Sequence, residues 1–260
     1  MRPRWRDHLP EYLAEAFGLG LFMVSACGFA VLFFHPGSPV VQRLPGMFAR
    51  NLAMGLAMAL TLAVNVYGPW GQRSGAHLNP VVTLTFYRLG KVARGDLPGY
   101  VLAQFAGALA GTGVAALILG ERLADPTVNY VVTVPGPSGV LVALLAELLI
   151  AFVLMLVVLH VAATPALARY TGACAAALVG LYITVEAPYS GMSMNPARTV
   201  GSAVFAGTWT GWWIYFLAPG LGMLAAAEAF LRLRGPRARL CAKLSHVEGV
   251  RCIFCEHHAG

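Results

Sequence analysis

Ser74-Gly75-Ala76-His77-Leu78-Asn79-Pro80-Val81-Val82-Thr83-Leu84-Thr85-Phe86 and Ser190-Gly191-Met192-Ser193-Met194-Asn195-Pro196-Ala197-Arg198-Thr199-Val200 decide the fold. Each carries an Asn-Pro followed by about ten residues of helix-compatible sequence, half of the roughly 20 needed to cross a bilayer. Asn is a good N-cap, and Pro suits the first helical turn because its missing N–H costs nothing there. Each stretch therefore reads as a loop that enters the membrane and then becomes a half-helix starting at Asn-Pro. Irregular backbone at that depth is tolerated only where protein buries it or where it lines a wet cavity.

The flanking sequence repeats in the same order. Leu13-Ala14-Glu15 is matched by Leu145-Ala146-Glu147, and Tyr100-Val101-Leu102-Ala103 with Gly107 by Tyr215-Phe216-Leu217-Ala218 with Gly222. Continuously apolar runs occupy Tyr12–Phe34, Pro45–Tyr67, Pro98–Leu119, Gly139–Ala163, Thr171–Ala187 and Trp209–Leu231. Continuous runs favour helices over the alternating strands of a membrane barrel. Three spans per half is an odd number, so the halves must be inserted upside down relative to each other, an arrangement that puts function near the midplane. The predicted fold is an all-α membrane protein with six transmembrane helices plus two re-entrant half-helices, in two inverted three-helix repeats. Its parts are an N-terminal segment (1–10), the first repeat (11–119), a connecting loop (120–138), the second repeat (139–233) and a Cys/His-containing tail (234–260).

Composition agrees. Of the 260 residues 58% are hydrophobic and 11% are charged, against about 25% charged in a soluble domain. A soluble enzyme, a disordered chain and a nucleic-acid binder are excluded. The basic residues flank spans: Arg2, Arg4, Arg6, Arg73, Arg88, Lys91, Arg94, Arg169 and six more from Arg232 onward fall on one side, with Arg43, Arg50, Arg122 and Arg198 on or near the other. By the positive-inside rule both termini are expected in the cytoplasm and the chain in the plasma (inner) membrane, its basic side against anionic lipid. Val24-Ser25-Ala26-Cys27 has the look of a lipoprotein cleavage box, but the apolar run is too long for a signal sequence.

Over about Glu11 to Leu233 the chain resembles the aquaporin (major intrinsic protein) family, on the strength of the two boxes, the paired Glu15 and Glu147, and the Gly/Ala-rich spans. The resemblance implies a passive homotetrameric channel with one pore per subunit. It carries water, excludes protons and ions, and needs no cofactor. The pore midpoint falls to Asn79, Pro80, Val81, Asn195, Pro196 and Ala197, Val81 standing where the family usually has Ala. Arg198 belongs to the narrowest constriction. Its other members by the family pattern are Ile183, Met192 and a second-span residue, Met54 if Gly68–Gln72 carry an insertion and Ala59 otherwise. Thr199, Ala203 and Tyr215-Phe216 resemble the water-type branch, whereas a filter of three apolar residues and one Arg does not, so small neutral solutes such as glycerol or ammonia stay open.

Glu15 and Glu147, lone carboxylates inside spans, need partners, and by resemblance they brace the half-helix loops. His77 is placed in the cytoplasmic vestibule as a pH-gating group or as scaffold. Glu186 is placed at the outer mouth as a solvated charge or a partner of Arg198. Cys241, His246, Cys252, Cys255 and His257 have metal-ligand chemistry, and a C-x-x-C with nearby His suits Zn²⁺. Glu256 rules out c-type haem attachment, which needs His at that position. A metal-responsive protein acting through this tail is the reading from a different class.

Overall fold

The computed structural model describes residues 5–235 and 241–259. The first repeat runs through α1 (Leu9–Phe34), a short turn α2 (Pro39–Arg43), α3 (Met47–Tyr67), a single turn α4 (Pro69–Ser74), the half-helix α5 (Pro80–Arg88) and α6 (Asp96–Leu119). After the turn α7 (Glu121–Ala124), the second repeat comprises α8 (Val140–Ala162), α9 (Thr171–Val185), the turn α10 (Ala187–Ser190), the half-helix α11 (Pro196–Ala206) and α12 (Ile214–Arg234). A short helix, α13 (Ile253–Ala259), closes the described chain.

Six of these helices are long and apolar enough to cross a membrane. Their outward faces are apolar too: Leu56, Leu60, Leu102, Leu117, Ile118, Leu145, Leu149, Leu217 and Leu221 are exposed. In water such a belt would drive aggregation; in lipid it is the expected surface. The sixth span starts at Ile214, later than Trp209, because Gly211 takes a left-handed turn (φ 64°) and Trp209, Trp212 and Trp213 are exposed together at the helix mouth. Amphipathic indoles favour that interfacial level.

Hydrophobic burial gives little drive between helices in lipid, so close packing of small residues must supply the contact. The two repeats use it identically. A Cβ on Gly107 of α6 would lie 2.2 Å from the Ala16 carbonyl oxygen of α1, and one on Gly222 of α12 would lie 2.4 Å from the Leu148 carbonyl oxygen of α8. The repeats meet where α3 crosses α9. There a Cβ on Gly55 would sit 2.3 Å from the Gly180 carbonyl oxygen.

Each half-helix is positioned by one buried carboxylate. Glu15 Oε1 accepts from Ser74 Oγ at 2.8 Å and His77 N at 3.0 Å, and its Oε2 accepts from Leu78 N and Gln104 Nε2, both at 2.7 Å. Glu147 repeats the pattern with Ser190 Oγ (2.8 Å), Ser193 N (2.7 Å) and Met194 N (2.7 Å). These bonds hold backbone that is otherwise unfavourable: Ala76, Leu78, Met192 and Met194 all have φ near +50°, costing roughly 1–2 kcal/mol each for a residue with a Cβ. Tyr100 and Tyr215 donate from their hydroxyls to the Ser74 and Ser190 carbonyls, each at 2.6 Å, closing both loops from the far side.

Glu147→Gln puts an amide donor against backbone N–H groups. It should cost on the order of 3 kcal/mol and visibly lower the thermal midpoint in detergent followed by tryptophan fluorescence. An unchanged midpoint would mean that the carboxylate is not bracing the loop. Gly107→Leu should abolish the monodisperse gel-filtration peak, whereas Gly28→Leu, where nothing lies within 4 Å of a built Cβ, should keep it.

Candidate functional site

The half-helices α5 and α11 start next to each other. Asn79 caps α5 by accepting the Val81 N–H at Oδ1 (2.9 Å), and Asn195 caps α11 by accepting from Ala197 N (3.1 Å) and Arg198 N (3.3 Å). The spare amide ends cross between the repeats: Asn79 Nδ2 donates to the Met194 carbonyl and Asn195 Nδ2 to the Leu78 carbonyl, each at 2.7 Å. A primary amide has two N–H groups, so one on each Asn is left over. Both asparagines line the main cavity. Two helix N-termini converging there add positive potential, hostile to a cation and harmless to a neutral dipole.

That cavity, of about 220 Å³, is lined by both repeats, from Phe34 and Asn51 to His77 and Leu244. Met54, Met58, Leu62, Leu154, Val179 and Ile183 make an apolar wall; Asn51, Asn79, Asn195 and Arg198 bring side-chain N–H donors, with His77 and the loop residues Gly191 to Met194 beside them. Arg198 Nη1 is buried and has no hydrogen-bond partner among the described residues. A buried guanidinium N–H without a partner is costly, so its hydrogen-bonding capacity is available to whatever occupies the cavity.

The filter positions named from sequence come together: Met54, Ile183, Met192 and Arg198 all line this cavity. Ala59 does not; its Cβ packs at the α3–α9 crossing, 2.9 Å from where a Gly180 Cβ would stand. Asn79 and Asn195 flank the same space, while Pro80, Val81, Pro196 and Ala197 are buried in the helix starts behind it. Val81 packs into the core at 5% exposure and leaves the lumen to Val82. Glu186 differs from the solvated charge expected of it. It is 7% exposed, both carboxylate oxygens are buried with no close hydrogen bond among the described residues, and no salt bridge joins it to Arg198. It is the residue between α9 and α10, ending the one and starting the other.

His77 lies at the other end of the cavity and is held on every side. Nδ1 is 3.0 Å from Thr83 Oγ1, Nε2 is 2.8 Å from the Ala242 carbonyl oxygen, and the ring stacks between Phe86 and Phe254 at 5.1 and 5.3 Å. Two of these partners come from the segment after α12. That segment covers the basic end of the pore, and its Leu244 is one of the residues lining the cavity. The tail ligands also gather: donor atoms of Cys241, His246, Cys252 and Cys255 lie within 4.8 Å of one another. His257 is not in the group, since two residues beyond Cys255 on a helix points about 200° away.

Sequence reasoning missed Tyr100, Tyr215 and Gln104 as loop supports, although the two tyrosines stood at the repeat offset. It also missed Leu244 and Phe254, which no local pattern marks.

Residues 4–230 match the major intrinsic protein family. The chain is 34% identical over 227 residues to Aquaporin NIP1-1 of Zea mays, covering 87% of this chain and 75% of that protein. It is 35% identical over 232 residues to a probable NIP-type aquaporin of Nicotiana alata, covering 87% and 78%. In three dimensions it is similar to the aquaglyceroporin from Plasmodium falciparum, with a TM-score of 0.68 and 22% identity over 86% of this chain and 95% of that one. With a match over most of its length and two capped half-helices meeting in a lined cavity, the chain belongs to the major intrinsic protein family, a family of membrane channels and not of enzymes.

Proposed function

We propose that this chain is a passive channel for small uncharged molecules, carrying water together with neutral solutes of the glycerol or ammonia class, and excluding ions. The observation that carries this reading is the asymmetry of the cavity wall. Met54, Ile183 and Met192 offer apolar surface facing a single strong donor, Arg198, and such a wall suits molecules with carbon or few hydrogen-bonding groups better than a strictly polar bore does. The residues that suggest water selectivity are engaged elsewhere. Thr199 Oγ1 bonds Ser193 Oγ and Thr133 Oγ1, Tyr215 is spent on the Ser190 carbonyl, and neither lines the cavity. The name aquaporin carried by the plant relatives supports water among the permeants.

Ions are refused by the paired half-helix N-termini and by Arg198. A cation would leave bulk water for a site with positive potential and an apolar wall. Assembly as a homotetramer and insertion in the plasma membrane with the basic end cytoplasmic belong to the same proposal, the latter supported by the Lys/Arg asymmetry.

Stopped-flow light scattering on proteoliposomes tests the permeant, with Leu244→Ala run beside the parent because Leu244 stands in the path. Water flow above empty vesicles together with glycerol uptake is expected from Leu244→Ala at least. Water flow alone would favour the narrower water-selective reading, and no flux from either protein would sink the channel reading. Arg198→Ala in the same background should raise cation leak about tenfold or more, corresponding to a barrier lowered by at least about 1.4 kcal/mol, while water flow persists.

A further inference from the structure

The segment after α12 lies outside the family match, which ends at residue 230, yet it is built into the basic end of the pore. Cys241 Sγ is 3.6 Å from Cys252 Sγ and 3.8 Å from Cys255 Sγ, and Cys255 Sγ is 3.5 Å from His246 Nε2. A tetrahedral Zn²⁺ with bonds of about 2.3 Å to sulfur and about 2.0–2.1 Å to nitrogen requires S–S edges of about 3.8 Å and S–N edges of about 3.5 Å. These three separations match such edges to within about 0.2 Å, and the remaining pairs lie within 4.8 Å. They are far too long for a disulfide at about 2.05 Å.

The surroundings suit a metal thiolate. The Lys243 backbone N–H points at Cys241 Sγ at 3.5 Å, and the Cys255 and Glu256 N–H groups fold back on the Cys252 carbonyl at 3.1 Å, making the tight turn of a C-x-x-C knuckle. Three thiolates and one imidazole around Zn²⁺ carry a net negative charge. Lys243 is 3% exposed, makes no salt bridge among the described residues, and its ammonium donates to the carbonyl of Arg251, the residue before Cys252. Buried charges need a partner, and the loaded cluster is one.

The knuckle is joined to the pore on all sides. Leu244 N donates to the Gly75 carbonyl at 3.0 Å, and the Lys243 ammonium donates to the Gln72 carbonyl at 2.5 Å and the Arg251 carbonyl at 2.7 Å. Phe254 stacks on His77 and lies 5.9 Å from Tyr100, and Arg251 Nη1 reaches the Asp7 carbonyl at 3.1 Å. Phe254 and Ile253 are at most 2% exposed, and His77 is 4% exposed although it lines the cavity. Leu244 and Phe254 thus sit where the cavity would otherwise open. A segment this short has too small a core to fold on hydrophobic burial alone, and a structural metal is the usual remedy.

We propose that Cys241, His246, Cys252 and Cys255 form a Zn²⁺ site and that the metal-folded knuckle is a cap that closes the basic end of the channel by seating Leu244 and Phe254 over His77. Binding makes three Zn–S bonds and one Zn–N bond and releases the thiol protons to solvent; losing the metal unties the two Cys-bearing strands of chain and frees the cap. The metal half of this proposal stands on the cluster alone, and the closure half rests on the channel reading above.

The test uses the full-length protein in detergent and in proteoliposomes. Metal analysis should find one Zn²⁺ per chain, and the Co²⁺-exchanged protein should show the absorption of tetrahedral thiolate coordination. Both should be lost in Cys252→Ser/Cys255→Ser. Water flux should rise about tenfold or more on stripping zinc with a membrane-permeant chelator and fall again on returning Zn²⁺. Leu244→Ala should keep its zinc and conduct at the stripped level whether loaded or not. No zinc in the parent, zinc retained by the double Ser variant, or a thiol count two short from a disulfide would overturn the metal site. Zinc bound with flux indifferent to chelation and to Leu244→Ala would overturn the cap. Absence of flux in every form overturns the channel reading and the cap with it, while the zinc content still decides the site.

Discussion

Everything in the pore hangs on a buried carboxylate accepting backbone N–H groups. A loop that turns around in the middle of a bilayer has donors that lipid cannot satisfy and φ angles that side chains disfavour. Glu15 and Glu147 meet those donors from inside the protein, and only then can Asn79 and Asn195 cap half-helices in the right place. Charge-assisted bonds of this kind are about twice as strong as neutral ones, enough to offset several left-handed residues per loop. The serine hydroxyls and tyrosines that complete each bracket repeat across the two halves, so one local solution was used twice with the chain inverted.

From that bracket the chemistry of the lumen follows. Once the loops are fixed, their carbonyls and the two crossing amides are spent on each other, and what remains for a passing molecule is sparse: one N–H on each Asn, the Arg198 guanidinium, and loop backbone. Asn51 adds a further amide, His77 and Ser193 are spent on protein partners, and the rest of the wall is Met, Leu, Val, Ile, Ala or Phe. Selectivity here is set as much by where hydrogen-bonding groups are missing as by where they stand.

Much of this was legible in the linear sequence because membrane insertion imposes lengths. About 20 apolar residues make a span and about ten make half of one, so the six spans and two half-helices could be placed to within a few residues, the sixth excepted, where Gly211 and the tryptophans form a turn. Filter positions could be counted from the Asn-Pro boxes because α9 and α11 are joined by a short, fixed loop. At α3 counting gave two answers, and helix phase decided: Met54 and Met58 face the lumen while Ala59 faces Gly180. The burial of Glu186 was hidden because it depends on the tertiary setting of the turn between α9 and α10. The tail was half legible. Cysteine spacing showed a ligand set, but nothing local showed that Phe254 would stack on His77 from across the chain, or that His246 and not His257 would point at the thiols.

The crossing of α3 and α9 has a kinetic consequence. With Gly55 and Gly180 backbone to backbone and each Asn bonded into the opposite half, the two repeats are pinned at their centre and have no seam along which to rock. A carrier with the same inverted symmetry works by such rocking, so its flux saturates and a solute on one side accelerates exchange from the other. This molecule has a fixed bore: transport through it should track the gradient linearly, with neither saturation at ordinary concentrations nor counterflow.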